Sequence, residues 1–174
     1  MLELKNICYF CDGKQILDNV NLILDNGITV ITGPNGAGKS TLVKIIMGIL
    51  KADSGEIIYN GQDITNLSIT ERAKIGFSFA FQQPVKFKGL KVKDMLKIAS
   101  KDKNTSLATY LSSVGLCAKE YLSRELNGEL SGGELKRIEI ASVLARDGLV
   151  TMFDEPEAGI DLWSFNGLVN TFKK

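Results

Sequence analysis

The residues best suited to chemistry begin with a glycine-rich run. Glycines let the backbone curl so that successive N–H groups face an anion, and the positive end of a following helix adds to that attraction. Lys39 would supply a full charge for β and γ phosphates, Ser40 a hydroxyl ligand for Mg²⁺, and Thr41 a hydrogen bond to the α phosphate. The run fits the pattern Gly-x-x-x-x-Gly-Lys-Ser/Thr and predicts a binding loop for a nucleoside triphosphate; it reads Gly33-Pro34-Asn35-Gly36-Ala37-Gly38-Lys39-Ser40-Thr41.

Two carboxylates follow an apolar stretch in the last part of the chain. Leu149 to Phe153 predicts a strand, and Asp154 and Glu155 come directly after it. Ligands of open α/β sheets bind at the carboxyl ends of strands. Asp154 would orient Mg²⁺ through water, and Glu155 would act as general base on an attacking water. Acidic pairs at strand ends are common, so this assignment depends on the phosphate loop.

A third motif, Leu130-Ser131-Gly132-Gly133-Glu134, opens a predicted helix. A serine followed by two glycines presents a hydroxyl and unobstructed N–H groups to an anion. By itself the motif would suit an ordinary helix N-cap equally well. Together with the two other motifs it predicts a second phosphate-binding surface.

The elements that must position these motifs alternate between strand and helix patterns. Leu2 to Tyr9 and Asn19 to Leu24 alternate in polarity around an Asp12-Gly13 turn, which predicts an antiparallel hairpin. Gly27 to Thr32 predicts a short buried strand that leads into the glycine-rich loop. Ser40 to Ile49 has the apolar spacing of an amphipathic helix.

The later elements continue this mixture. The mixture of strand and helix patterns predicts an α/β fold with an antiparallel β piece and a helical piece attached to the core. The predicted elements are a turn at Ser54-Gly55-Glu56, strand Ile57–Tyr59, a hairpin turn at Asn60-Gly61, helix Ile69–Ala73, strand Ile75–Phe81, a helical lobe over Val92–Cys117, and helix Gly133–Arg146.

Composition sets limits on the class of protein. Hydrophobic residues make up 44% of the 174-residue chain and charged residues 24%, which are values of a folded domain. The net charge is +1, with basic and acidic residues interspersed, so nothing points to nucleic acid. No apolar run approaches the ~20 residues needed to cross a bilayer. We expect a single cytoplasmic domain that neither binds nucleic acid nor inserts into a membrane.

The three cysteines leave two alternatives. Cys8 and Cys11 form a Cys-x-x-Cys pair, which could indicate a metal or redox site. No second pair and no histidine are present to complete four ligands. The favoured interpretation is two small residues at the end of the first strand.

In their order along the chain these motifs resemble the ABC ATPase family. The resemblance implies a P-loop NTPase (RecA-like) core and β subdomain over residues 1–83 and 147–174, with a helical subdomain over 84–146. It also implies Mg-ATP as ligand and a head-to-tail dimer, in which Ser131 of one copy meets ATP on the phosphate loop of the other. Gln82 would be the hinge glutamine that senses Mg²⁺ and the attacking water, and Asp161 would communicate across the dimer. The matching segments are Gly33 to Thr41, Gln82, Leu130 to Glu134, Asp154-Glu155 and Ala158-Gly159-Ile160-Asp161.

Within the family, three local features resemble the iron-sulfur cluster assembly ATPases of the SufC type. They are Glu71-Arg72-Ala73, Phe81-Gln82-Gln83-Pro84-Val85 through Gly89, and Glu134-Leu135-Lys136-Arg137. This resemblance implies a Suf scaffold protein as partner. The alternatives are an ATP-binding subunit of a membrane transporter, whose partner is a membrane subunit, and a nucleotide-dependent interaction module with little turnover. DNA-repair relatives carry a long coiled coil between the two phosphate-binding motifs, and no sustained heptads occur here.

Two features depart from the family's pattern. The position that usually stacks on adenine falls on Cys11, beside Tyr9 and Phe10, so base stacking is expected to be weak. The switch histidine should follow the Asp161 loop, but this chain has no histidine and ends at Lys174. We therefore expect a fragment, or a chain that has lost its end, which binds ATP better than it hydrolyses it and leaves a sheet edge uncovered.

Overall fold

The computed structural model describes residues 1–84, 86–127 and 129–156. It divides into two compact units, the first from Met1 to Phe77 and the second beginning at Ser78. Both strands and helices are present, which confirms the predicted α/β class. The predicted boundaries of the helical subdomain stay a prediction.

The first unit is built on a four-stranded antiparallel sheet. In chain order it contains β1 (Leu2–Cys11), β2 (Lys14–Leu24), α1 (Lys39–Ile46), β3 (Ser54–Tyr59), β4 (Gln62–Asp63) and α2 (Ile69–Lys74), and the strand order is β2-β1-β3-β4. Leu2, Leu4 and Ile7 of β1 are buried. The predicted alternation is confirmed for Leu2 and Leu4 and is interrupted before Ile7, where the register with β2 shifts.

Both predicted hairpin turns are confirmed. Asp12 and Gly13 have φ values of 50° and 75°, and Asn60 and Gly61 have 48° and 80°. Two successive residues with positive φ give the two-residue turn that matches the twist of antiparallel strands. The Asp-Gly pair therefore sets the pairing of Cys11 with Lys14 at the end of β1 and the start of β2, and the Asn-Gly pair that of Tyr59 with Gln62 in β3 and β4.

The turn predicted at Ser54-Gly55-Glu56 is wrong, because β3 begins at Ser54 and pairs with β1. The register shifts there between Lys5 and Cys8, and Gly55 has a φ of 101°. A Cβ at Gly55 would lie 2.5 Å from the carbonyl oxygen of Lys5. This glycine permits a close approach of two strands rather than a turn.

The buried strand predicted at Gly27 to Thr32 is also wrong. This segment belongs to neither of the described sheets, and Ile28 and Val30 are 67% and 76% exposed. An apolar run forms a buried strand only where neighbouring strands bond to its backbone and other elements cover both faces of the sheet. The four-stranded sheet of the first unit does not include it.

The second unit places helices around a buried apolar cluster. It contains most of β5 (Phe77–Ala80), then α3 (Val92–Ala99), α4 (Leu107–Ser113), α5 (Ala118–Tyr121), α6 (Gly132–Arg146) and β6 (Val150–Phe153). The buried face of α6 contributes Ile138, Ile140 and Ala141, which pack with Leu96 of α3 and Leu111 of α4. Within the described residues, no helix has the length and apolar character to cross a membrane.

The two strands of the second unit bring their ends together. The hydroxyls of Ser78 and Thr151 are 3.0 Å apart, and the Asp154 N–H donates to the Ala80 carbonyl at 3.2 Å. Residue numbers rise together on both strands, which indicates that they run in the same direction. The residues after β5 and β6, Gln82 and Glu155, consequently lie at the same edge.

Candidate functional site

At the end of the glycine-rich loop, the backbone conformation and the neighbouring atoms allow only glycine. Gly38 is the N-cap of α1 with a φ of 86°. A Cβ there would lie 2.8 Å from the Leu17 side chain and 3.0 Å from the Ile16 carbonyl oxygen. Both conformation and space therefore require glycine at this position, and β2 fixes where α1 starts.

Lys39 folds back over this loop. Its ammonium donates to the carbonyl oxygens of Gly33 and Pro34, both at 2.8 Å, and the Ala37 N–H donates to the Pro34 carbonyl at 3.2 Å. Residues 33–37 are exposed. The arrangement holds a positive charge at an open loop, where an anion can reach it.

The start of α1 differs from the starts of the other described helices, each of which has a side-chain cap or an acidic residue in its first turn. Gly38 gives α1 no side-chain cap, and its first turn, which includes Ser40 and Thr41, has no acidic residue. Helices α2 and α6 each begin with a full capping box. The first N–H groups of a helix need acceptors, and its positive end attracts anions. The start of α1 is therefore suited to phosphate.

The second unit brings two predicted catalytic residues into contact. The Gln82 side-chain amide donates to the Glu155 carboxylate at 2.6 Å, and the neighbouring Asp154 is 7% exposed. Gln82 itself is exposed. The contact holds the Glu155 carboxylate, an acceptor for the proton of a water molecule, at the end of β6.

Two charged residues beneath Gln82 were missed by the sequence reasoning as site residues. The Lys136 ammonium donates to the carbonyl oxygen of Phe81 and lies 3.5 Å from that of Gln82, while the Glu139 carboxylate accepts from the Phe81 N–H at 2.9 Å. Burial raises the pKa of the Glu139 carboxyl, although the Lys136 charge and the Phe81 N–H act in the opposite direction. The available signal was two charges three residues apart on the apolar face of α6.

Ser131 is the N-cap of α6. Its hydroxyl accepts from the Glu134 N–H at 3.2 Å, and its own N–H donates to the Glu134 carboxylate at 2.7 Å. The Tyr121 hydroxyl donates to the same carboxylate at 2.5 Å, which, with the bonds from Ser131, lowers the pKa of Glu134 to about 2. The N-cap alternative is thus observed. Gly132 faces open space, and the role of Gly133 and its neighbours as a second phosphate-binding surface stays a prediction.

Two further sequence predictions concern the Cys-x-x-Cys pair and the segment around Asp161. Cys8 is half-buried, and its sulfur accepts from the Asn19 N–H at 3.2 Å; Cys11 is exposed. Across the described ranges, no group of three or more His, Cys, Asp or Glu side chains could hold a metal ion. Asp161, with Ala158, Gly159 and Ile160, lies outside the described residues, as does Val85.

An α/β fold, a lysine-bearing glycine loop at an uncapped helix and a strand-end carboxylate pair define a nucleotide-binding domain of the P-loop NTPase class. Comparison with known proteins narrows this class. The family model described as ABC transporter matches residues 17–158. The chain belongs to this ABC family, and it is an ABC-type ATPase domain.

Individual relatives agree with this assignment. The chain is 40% identical over 183 residues to an uncharacterized ABC transporter ATP-binding protein of Methanocaldococcus jannaschii, covering 99% of this chain and 73% of that one. It is 37% identical over 178 residues to a probable ATP-dependent transporter of Synechocystis, covering 93% and 70%. Among solved structures, it is similar to an ATP-binding cassette in a dimeric post-hydrolysis state bound to ADP and Pi. The TM-score is 0.83, with 25% identity over 98% of this chain and 80% of that one.

Proposed function

We propose that this chain is the ATP-binding and ATP-hydrolysing subunit of an ABC membrane transporter. The observation that carries the proposal is the start of α1, which has no side-chain cap and no acidic residue in its first turn, while Lys39 is held over the same loop. A helix start left without its own cap, beside a fixed cation, suits a bound polyphosphate.

In this proposal the phosphate loop binds ATP through its backbone. The Lys39 ammonium exchanges the Gly33 and Pro34 carbonyls for β and γ phosphate oxygens. Ser40, Gln82 and Asp154 offer a hydroxyl, an amide oxygen and a carboxylate, the oxygen donors that Mg²⁺ prefers. When bound, Mg²⁺ neutralises charge on the phosphates.

Hydrolysis uses the pair at the end of the strands. Glu155 accepts a proton from water as that water attacks the γ phosphate, and Gln82 orients the Glu155 carboxylate through the 2.6 Å hydrogen bond. Lys39 stabilises the negative charge of the transferred group. No covalent intermediate is needed, because positioning and charge stabilisation dominate phosphoryl transfer.

A second copy completes the proposed site. Ser131, Gly132 and Gly133 of one copy close on the ATP held by the phosphate loop of the other, and Asp161 acts across the same interface. The dimeric cassette among the similar structures supports this arrangement. Closing on ATP and opening after hydrolysis would drive a membrane subunit that this chain contacts from the cytoplasmic side.

An iron-sulfur assembly ATPase of the SufC type is the second candidate. It is favoured by the three local sequence features, and its partner would be a Suf scaffold protein. Two of those features have local roles that need no scaffold: Arg72 binds backbone carbonyls within the first unit, and Glu134 caps α6. Both local roles, together with relatives that carry transporter names, favour the transporter proposal.

Phosphate release at saturating Mg-ATP tests hydrolysis. The proposal expects turnover that is lost in Glu155→Gln and retained in Glu120→Gln, an exposed control on α5. If the wild type releases phosphate no faster than Glu155→Gln, the result would favour the alternative function, a nucleotide-dependent interaction module with little turnover. Affinity capture from the native host then separates the candidates: a membrane subunit supports transport, and a scaffold protein supports iron-sulfur assembly.

A further inference from the structure

Lys136 and Glu139 form a buried ion pair on α6. Their side chains are 1% and 14% exposed, and the Lys136 ammonium lies 3.3 Å from Glu139 Oε2. That oxygen has no hydrogen-bond partner among the described residues. Burying two charges is costly unless they are well paired, and apolar residues of similar size often stabilise a core more. Packing alone therefore does not explain the pair.

Both residues act on one short backbone segment. Lys136 donates to the Phe81 carbonyl and lies near that of Gln82, and Glu139 accepts from the Phe81 N–H. The segment is thus held through its N–H and its carbonyl groups at once. Gln82 is its last residue, and the Gln82 side chain reaches Glu155.

We propose that Lys136 and Glu139 are positioning residues that fix the Phe81–Gln82 backbone, so that the Gln82 amide meets the Glu155 carboxylate. This inference rests on the proposed function, since it concerns the orientation of the hydrolytic pair. The inference also implies that α6 connects Ser131 to the backbone of Gln82. The helix begins at Ser131, which would meet ATP of the second copy, and Lys136 follows about 7.5 Å further along its axis. A shift of α6 on closing of the dimer would move the Gln82 backbone with it.

Kinetics of Lys136→Met provide the first test, with Lys97→Met on the exposed face of α3 as matched control. A positioning role lowers kcat by about tenfold or more and leaves KM and nucleotide affinity within about twofold. Glu139→Gln, which keeps an acceptor for the Phe81 N–H, should retain more activity than Glu139→Met. In a Gln82→Ala background, Lys136→Met should add little, because both changes remove the same contact.

A second readout needs no turnover. In ¹⁵N-labelled protein, Lys136→Met should shift the Gln82 side-chain amide resonances and speed hydrogen exchange at the Phe81 N–H, whereas Lys97→Met should do neither. If the wild type fails to hydrolyse ATP, the proposed function fails, and these resonances still decide the positioning role. Unmoved Gln82 resonances, or an unchanged kcat in folded Lys136→Met, would overturn the inference. If Lys136→Met does not fold, kcat and the Gln82 amide resonances are compared between Glu139→Gln and Glu139→Met instead.

Discussion

Glu155 adopts the left-handed backbone conformation, with a φ of 47°. That conformation is uncommon outside glycine and is enriched in asparagine and aspartate. The five other non-glycine residues with positive φ in the described part of the chain are all Asn or Asp: Asn6, Asp12, Asn19, Asn60 and Asp147. From this backbone conformation the Glu155 carboxylate accepts the hydrogen bond from the Gln82 amide.

Replacing this carboxylate separates binding from hydrolysis. Glu155→Gln keeps the size of the side chain and an oxygen that accepts from Gln82, but it cannot accept the proton of the attacking water. We expect hydrolysis to fall by about 10²-fold or more, with nucleotide affinity within about twofold. Single-turnover phosphate release and titration with a fluorescent ATP analogue measure the two effects. Equal rates in the variant and the wild type would exclude Glu155 as the base.

The two ends of α1 differ in how side chains cap them. Its start is uncapped, whereas its end is closed by Arg72 of α2. The buried guanidinium, 2% exposed, donates to the carbonyls of Ile45 and Ile46 at 2.8 and 2.6 Å, and also to those of Ile64, Thr65 and Leu67. Arg72 therefore ties the helix that carries Lys39 to the loop before α2.

Removing this guanidinium should destabilise the first unit. Arg72→Met removes the side-chain donor to five backbone carbonyls. The carbonyls of Ile45 and Ile64 still accept a backbone N–H, and each buried carbonyl that is left unsatisfied costs about 1–3 kcal/mol before water or relaxation compensates. We expect a loss of about 3 kcal/mol or more in the free energy of unfolding, measured by urea denaturation. Lys74→Met, exposed on the same helix, is the control. A loss equal to that of the control would show that water replaces the guanidinium.

The cap of α6 gives stability a pH dependence. The folded-state pKa of Glu134, about 2, lies below its ordinary value of 4.5. A lowered pKa stabilises the fold fully above the unfolded-state value, and this contribution is lost as pH falls from about 4.5 towards about 2. Urea denaturation should show a difference between wild type and Glu134→Gln that shrinks over this range. A difference independent of pH would mean that the charge of Glu134 contributes nothing.

Elements defined by local chemistry were predictable from the sequence. The hairpin turns follow from Asp12-Gly13 and Asn60-Gly61, and α6 from its apolar spacing. Gly55 was misassigned because a glycine that admits a neighbouring strand and a glycine in a turn look alike in sequence. The roles of Lys136 and Glu139 depend on contacts with a segment more than fifty residues away, which no local pattern encodes.

For the molecule as a unit, the phosphate loop, Asp154, Glu155 and Ser131 were predicted from residue type and spacing because each motif is short and contiguous. Gln82 was predicted from the family resemblance. The contact between Gln82 and Glu155 is a different case, since it depends on β5 and β6 becoming neighbours. The strand-end motif identifies Glu155 and the family resemblance identifies Gln82, but neither predicts the hydrogen bond between them. The second copy and the membrane subunit lie beyond the single chain, and both are proposed from the family to which the chain belongs.

The proposed dimer predicts a change of mass with nucleotide. With Mg-ATP, Glu155→Gln should shift from monomer to dimer in sedimentation velocity, since binding persists without hydrolysis. Adding Ser131→Arg to this variant should abolish the shift, because a large side chain then occupies the surface that meets the other copy's ATP. Ser123→Arg, also exposed, is the control. A monomer at every nucleotide concentration would contradict the dimer.

The proposed function depends on one interaction, in which the loop from Gly33 to Thr41 binds the phosphates of ATP with the Lys39 ammonium. Calorimetric titration of the folded chain with Mg-ATP tests it most directly, with Lys39→Ala beside Lys44→Ala, a lysine on the last turn of the same helix. We expect saturable heat for the wild type and Lys44→Ala, and none for Lys39→Ala. Absence of heat in all three, or identical curves for the wild type and Lys39→Ala, would contradict it.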